Sequence, residues 1–282
     1  VSGESTEGDW IRVGAGVFQR RYQPTDVSVG AILGVDGVTV VDTRGTPEEA
    51  QEILRHVQEA FNMPVVAAIN THAHYDHTFG NQTFAGHDIA IYGHHLIPRH
   101  YAEYEAPRLL AVQRDPRRES DKNWADVSLT PPSVLVDSPL QLELGGRTVM
   151  LLPLQPGHTD TDLAVLVPDA RVWFLGDVIE ESGPPMFGSG SYPLRWASAL
   201  RALLPHVLSG DAIVPGHGSV VDRGFVAHQA AKLQAVADEI VRSHRHGRPA
   251  DDVRFSPAVR DTWPDDFLRS AVSTGFAQLA SS

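Results

Sequence analysis

Apolar positions along the chain change period several times, and each change marks an element. β-Branched and aromatic runs at Trp10 to Val13, Val17 to Tyr22 and Val27 to Leu33 predict strands, and Asp36-Gly37 predicts a hairpin turn into Val38 to Val41. Thr46-Pro47-Glu48-Glu49 then gives a capping signal with proline at the first helical position. Ala50, Ile53, Leu54, Val57, Ala60 and Phe61 follow at helical spacing. The unbroken apolar run Val65 to Ile69 predicts a buried parallel-type strand, and Asp88 to Tyr92 a neighbour to it. From Gly93 to Pro132 the pattern loosens into short charged helices, read as an insertion over one face. Strand character returns at Leu140, with Gly145-Gly146 turning the chain into Thr148 to Leu154, then Leu163 to Val167 and Val172 to Leu175. Three helices close the pattern: one from about Pro193, one from about Asp222 to Arg245, and a terminal one striped with Phe267, Leu268, Ala271, Val272, Phe276 and Leu279. Two strand-rich halves with helices outside them predict an α/β chain with mixed sheets, layered helix, sheet, sheet, helix, although periodicity alone allows other α/β arrangements. The 282 residues, 42% of them hydrophobic, suffice for one large core, so a single domain over 1–282 is expected.

The chemistry concentrates where the strand Val65 to Ile69 ends. Asn70-Thr71-His72-Ala73-His74-Tyr75-Asp76-His77 puts three imidazoles and a carboxylate within six residues. Side chains of an extended segment alternate, so His72 and His74 share a side, while Asp76 and His77 arrive as the chain turns and face a second point. One loop can thus supply two metal ions. Three further strings follow short apolar runs: Gly157-His158-Thr159, Gly176-Asp177 and Gly216-His217-Gly218.

Together, in this order, these strings resemble the signature of the metallo-β-lactamase superfamily, from roughly Val38 to Gly218. The resemblance implies the four-layer αββα sandwich. It also implies that His72, His74 and His158 hold a first metal, that Asp76, His77 and His217 hold a second, and that Asp177 bridges them. Two zinc ions are the expectation, with iron and manganese also compatible with imidazole and carboxylate donors. In such sites, with metals about 3.5–4 Å apart, a shared water deprotonated near neutral pH is the nucleophile, while a metal polarises the substrate oxygen. Asp76 is given a catalytic role, orienting the hydroxide and carrying a proton to the leaving group. Asp42 matches the first motif and is read either as a hydrogen-bond acceptor for a ligand histidine or as a plain strand-end cap.

Composition narrows the substrate. With 23 Lys and Arg against 35 Asp and Glu, the net charge of -12 opposes nucleic-acid binding, which depends on cationic groups releasing counterions. Arg108, Arg114, Arg117 and Arg118 lie among Glu103, Glu105, Asp115, Glu119 and Asp121, which favours a solvated helical face over an anion site. Pro184, Pro185, Met186 and Phe187 offer an apolar wall. The expected reaction is hydrolysis of a small ester, thioester, lactone or amide. The alternatives within the resemblance are a non-haem iron sulfur dioxygenase and a β-lactam hydrolase. Lactamases with a cysteine at the second metal are excluded, because the chain has no cysteine. No cysteine and no Gly-x-Ser-x-Gly turn are available as a side-chain nucleophile. No apolar run approaches the ~20 residues that span a bilayer, and Val1 to Ser5 show neither basic nor apolar signal regions, so a cytoplasmic protein without membrane partners is expected. His94, His95, His244 and His246 are read as ordinary structural or surface histidines.

Overall fold

The structure, a computed structural model, describes residues 9–281; the segment Val1 to Ser5 lies outside them. The first half of the chain builds strands β1 (Ile11–Gly14), β2 (Val17–Tyr22), β3 (Val27–Leu33), β4 (Val38–Val41), β5 (Val65–Ile69), β6 (Ala90–His94) and β7 (Val134–Val136). The second half builds β8 (Leu140–Leu144), β9 (Arg147–Pro153), β10 (Leu163–Val167), β11 (Val172–Glu180) and β12 (Ala212–His217). β1 to β4 pair as antiparallel neighbours, and β4, β5, β6 and β7 run parallel. In the second half β8 to β11 form an antiparallel meander, with β12 parallel to β11. The halves meet through one ladder pair, His217 with Val27, so hydrogen bonding is continuous while the two sheets pack as separate faces.

Helices cover both outer faces. α1 (Pro47–Phe61), α2 (Tyr75–Thr78), α3 (Asn81–Gly86), α4 (Ile97–His100) and α5 (Ala106–Arg114) belong to the first half. α6 (Trp196–Leu203), α7 (Arg223–Arg245), α8 (Pro257–Arg260) and α9 (Asp265–Ala280) belong to the second. Three apolar clusters show the four layers. Ile53 and Val57 of α1 pack with Val29, Val38 and Val40 outside the first sheet. Val17, Ile32 and Ile69 meet Val149, Val165 and Phe174 between the sheets. Leu200, Leu233, Ile240 and Leu268 seal the outside of the second. Burying each such aliphatic side chain contributes about 1.5–3 kcal/mol.

Local chemistry sets the boundaries. Thr46 caps α1 by accepting from the Glu49 amide, and the Glu49 carboxylate reaches back to the amide of Gly45, one residue before the expected capping-box partner. Asp222 caps α7 through the amide of Phe225. Four expectations need correction. The strand read from Asp88 begins at Ala90, because Asp88 sits at φ 58 in the preceding turn. A short strand, β7, follows Pro131-Pro132 where none is read from its three residues. β11 does not stop at Leu175 but runs through Asp177 to Glu180. Phe187 does not line a cleft; it is buried against Trp196 and Trp263. Residues 97–119 form α4, a π-helical turn (Tyr101–Glu105), α5 and a 3-10 turn (Pro116–Glu119) above the site. Among the described residues no helix is long and apolar enough to cross a membrane.

Candidate metal centre

β5 delivers the chain into the space between the sheets, and the following bend presents His72 and His74 before α2 begins. α2 then carries Asp76 and His77. His158 comes from the turn after β9, and His217 is the last residue of β12. Asp177 lies within β11, just past Gly176 at φ +56, where the pairing with β12 shifts register. The structure brings all seven side chains together. The donor atoms of His72, His74, His158 and Asp177 lie within 4.8 Å of one another, as do those of Asp76, His77 and His217. Asp177 sits between the groups: Oδ2 is 3.7 Å from His72 Nε2 and 3.5 Å from His158 Nε2, while Oδ1 is 3.0 Å from His77 Nε2 and 3.5 Å from His217 Nε2. Asp76 Oδ2 is 3.4 Å from His217 Nε2.

Outward hydrogen bonds fix the imidazoles. His77 donates from Nδ1 to Asp42 Oδ2 at 2.8 Å, and Asp42 is itself held by the amide and hydroxyl of Thr71. The Thr71 hydroxyl oxygen also lies 3.2 Å from His72 Nδ1. His217 donates from Nδ1 to the Thr25 carbonyl at 2.8 Å. His74 is turned the other way: its Nε2 donates to the Ser189 carbonyl at 3.0 Å, and its Nδ1 lies 2.8 Å from His158 Nε2. In these four rings the outward nitrogen carries the anchoring N–H, so the inward nitrogen is the one a metal would take, after losing its proton where the ring is protonated. His72 Nε2, His77 Nε2 and Asp177 Oδ1 are buried without a hydrogen-bond partner. Leaving such atoms unpaired in a protein interior is costly, and convergent imidazole and carboxylate donors around them fit divalent cations.

Charge divides the two groups. Burial, reinforced by His77 and the neighbouring rings, holds His72 well below the usual imidazole value; burial and His74 put His158 at about 3. Burial also lowers His74. Burial would lower His77 and His217 too, but Asp177 foremost, with Asp42 and Asp76 at His77 and Asp76 at His217, raises both well above it. Burial pushes Asp76 up, yet His77 and His217 outweigh it and bring the carboxyl to about 2. Filling the second group is therefore expected to release more protons than filling the first. Calorimetric zinc titrations in buffers of different ionisation enthalpy are expected to show this inequality; equal, near-zero proton counts for both ions would contradict it. The raised histidines stabilise the demetallated fold below their unfolded value of about 6.5, and this stability is lost as pH rises through their folded values. Asp76 contributes above about 3.9, and its share is lost as pH falls towards 2.

The centre opens into a cleft of about 410 Å³, lined by Tyr75, Arg108, Glu180, Pro184, Met186 and Phe267 among others. Three of these were not singled out from the sequence. Glu180 enters because β11 takes four steps, Gly176 to Glu180, against two on β12, Pro215 to His217, a bulge with no sequence signal. Its carboxyl is raised well above its ordinary value by burial and then by Asp177. Tyr75 lies between two predicted donors, and Phe267 belongs to the terminal helix stripe. Arg108 departs from the solvated-face expectation: it lines the cleft, its guanidinium 4.8 Å from the Tyr75 ring and 5.1 Å from Trp124, with Nε and Nη2 on the Glu119 carboxylate. Arg117 pairs with Asp115 at the surface, as a solvated face requires. Outside the centre, His94 accepts from the Leu96 amide and His246 lies against the Arg242 carbonyl at the end of α7.

Sandwich and donor groups together define a metal-binding αββα protein. The chain belongs to the metallo-beta-lactamase superfamily, whose profile matches residues 22–223. It is 23% identical over 222 residues to a metallo-beta-lactamase type 2 of Bacillus cereus, covering 78% of this chain and 77% of that one. It is 28% identical over 188 residues to the 2,4-dinitroanisole O-demethylase subunit alpha of Nocardioides sp. (strain JS1661), covering 66% of this chain and 51% of the other. Among solved structures, a double mutant of the sec-alkyl sulfatase PisA1 superposes with a TM-score of 0.77 over 96% of this chain and 50% of its own, at 14% identity. A metallo-beta-lactamase from Pontibacter korlensis gives 0.64 over 80% and 99%, at 17% identity. These superpositions show a shared fold.

Proposed function

We propose that this protein is a dinuclear zinc hydrolase acting on a small organic ester, thioester, lactone or amide. The observation that carries the reading is the sharing of Asp177 by two donor groups at the floor of one cleft. When bound, two zinc ions supply an acidified water and a polarised substrate oxygen. His72, His74 and His158 would hold one ion, Asp76, His77 and His217 the other, with Asp177 between them. Asp76, ionised and turned toward His217, is placed to orient the attacking water and to pass its proton to the leaving group. Pro184, Met186 and Phe267 exclude water around an organic group.

Charge argues against a polyphosphate backbone. Among the described residues, Arg108 is the one arginine or lysine lining the cleft and is already paired with Glu119, and the net charge is -12. The named relatives act on small organic molecules, a β-lactam, a nitroaryl ether and an alkyl sulfate, which agrees with a compact cleft.

The test joins elemental analysis to a substrate panel. Zinc-reconstituted protein is expected to carry two zinc ions per chain and to turn over chromogenic lactones or thioesters faster than β-lactams, phosphodiesters or RNA. A chelator should abolish turnover, and zinc should restore it. Faster RNA cleavage that weakens steeply with salt would overturn the carbonyl reading. A single bound iron with oxygen-dependent turnover would replace it with the sulfur dioxygenase alternative.

A further inference from the structure

His74 is supported differently from its neighbours. His77 rests on Asp42 and His217 on the Thr25 carbonyl, groups of the first half's sheet and its connections. His74 instead leans on Ser189, whose carbonyl is 3.0 Å and hydroxyl 3.3 Å from Nε2, in the loop after β11 that also lines the cleft. Behind Ser189 lies a second polar cluster. The Ser189 hydroxyl reaches Glu105 Oε1 at 3.5 Å, Glu105 Oε1 is 3.8 Å from His100 Nε2, and His100 Nδ1 is 3.9 Å from Asp160 Oδ1. Glu105 and His100 are almost wholly buried, at 0% and 1% exposure, and Glu105 Oε2 and both His100 ring nitrogens have no hydrogen-bond partner. The donor atoms of His74, His100 and Glu105 lie within 4.8 Å of one another, and the His74 and His100 rings meet edge on at 5.4 Å.

His74 has only one inward nitrogen to give, and its Nε2 is committed outward to Ser189, so this cluster cannot be a third metal site sharing His74. His100 presents its two nitrogens to carboxylates on opposite sides, an arrangement that clamps a ring rather than encloses an ion. The cluster also ties three segments together. Glu105 ends the π-helical turn Tyr101–Glu105, a distortion common beside functional sites. Gly190 packs so closely on His100 that an added Cβ would lie 2.6 Å from its Cε1. Asp160, two residues past His158, pairs with Arg99 of α4.

We propose that Glu105 is a positioning residue for His74: through Ser189, and backed by His100, its carboxylate fixes which nitrogen His74 turns toward the metal centre. The inference rests on the reading of His74 as a metal donor. It makes the 93–132 segment part of the metal centre's support, and it couples the loop lining the cleft to a metal-binding ring. Outer partners of this kind typically carry about 10–100-fold in metal affinity.

The test uses full-length protein, wild type and the Glu105→Ala, Glu105→Gln and Ser189→Ala variants. Zinc affinities come from competition with a chromophoric chelator, and donor geometry from the visible spectrum of the cobalt(II)-substituted forms. Glu105→Ala is expected to weaken one of the two zinc ions by about 10–100-fold and to shift the cobalt bands, with Glu105→Gln and Ser189→Ala between it and wild type. Wild-type affinities and spectra in all folded variants would overturn the proposal. Should Glu105→Ala fail to fold by circular dichroism, the isosteric Glu105→Gln and the loop variant Ser189→Ala decide it alone: shifted spectra support it, unchanged spectra defeat it. Wild-type protein that binds no metal in the same titration would instead remove the donor reading of His74.

Discussion

Asp177→Ala is expected to reduce bound zinc from two ions per chain to one or fewer and to lower turnover by more than the roughly 100-fold upper range of outer-partner substitutions. Asp177 is the carboxylate both donor groups share, with His72 and His158 on one oxygen and His77 and His217 on the other. It is buried, and although burial pushes its carboxyl up, His77, His217 and His72 hold it well below the ordinary value, so it carries a full negative charge among five imidazoles. Without it, His77 loses the largest influence keeping it above the usual imidazole range, and two cations would face each other unshielded. Asp177→Asn keeps the shape and removes the charge, and should lose metal nearly as completely. Mass-spectrometric metal counts on both variants check this; two tightly held zinc ions in Asp177→Asn would show that the charge is not what holds the pair.

Gly216→Ala should be nearly as damaging, although alanine is the smallest side chain that could be added. A Cβ at Gly216 would lie 1.8 Å from Asp177 Oδ1, 2.8 Å from the Asp177 amide nitrogen and 2.8 Å from the Gly176 carbonyl carbon. Neither strand can yield cheaply, because β11 and β12 pair in parallel across this point and both are buried. Overpacking of this kind costs about 1–3 kcal/mol of stability, and here the displaced group is the shared carboxylate. The expected outcome is a lower melting temperature together with loss of zinc. Gly86→Ala serves as the control, since nothing lies within 4 Å of its added Cβ and the position is helical. A Gly216→Ala protein that keeps wild-type stability and zinc would show that the strands slide apart more easily than their pairing implies.

The donors were legible because their string is local. His72, His74, Asp76 and His77 share one bend, and the three later donors each follow an apolar run that the eye reads as a strand. Helix ends were legible for a similar reason: Thr46 and Asp222 act on amides three residues away. Of the groups supporting the donors, Asp42 was legible and the others were not. Thr25, Ser189 and Glu105 reach the centre from loops and a π-helical turn whose geometry depends on packing, and Glu180 arrives through a bulge. Arg108 looked like one of several balanced surface charges, and only its stacking on Tyr75 and Trp124 sets it apart from Arg117. Phe187 failed in the opposite direction, since an apolar loop residue beside a cleft has equal reason to enter the core.

The single ladder pair joining the two halves also bears on the order of events during synthesis. His217 and its acceptor, the Thr25 carbonyl, are 192 positions apart, and the contact closes across nearly every strand of the fold. Closing so long a loop delays a contact more than it weakens it. A growing chain carries His72, His74, Asp76 and His77 well before His158, Asp177 and His217 exist. The full set of seven side chains therefore comes together only once the second half has been made and docks on the first.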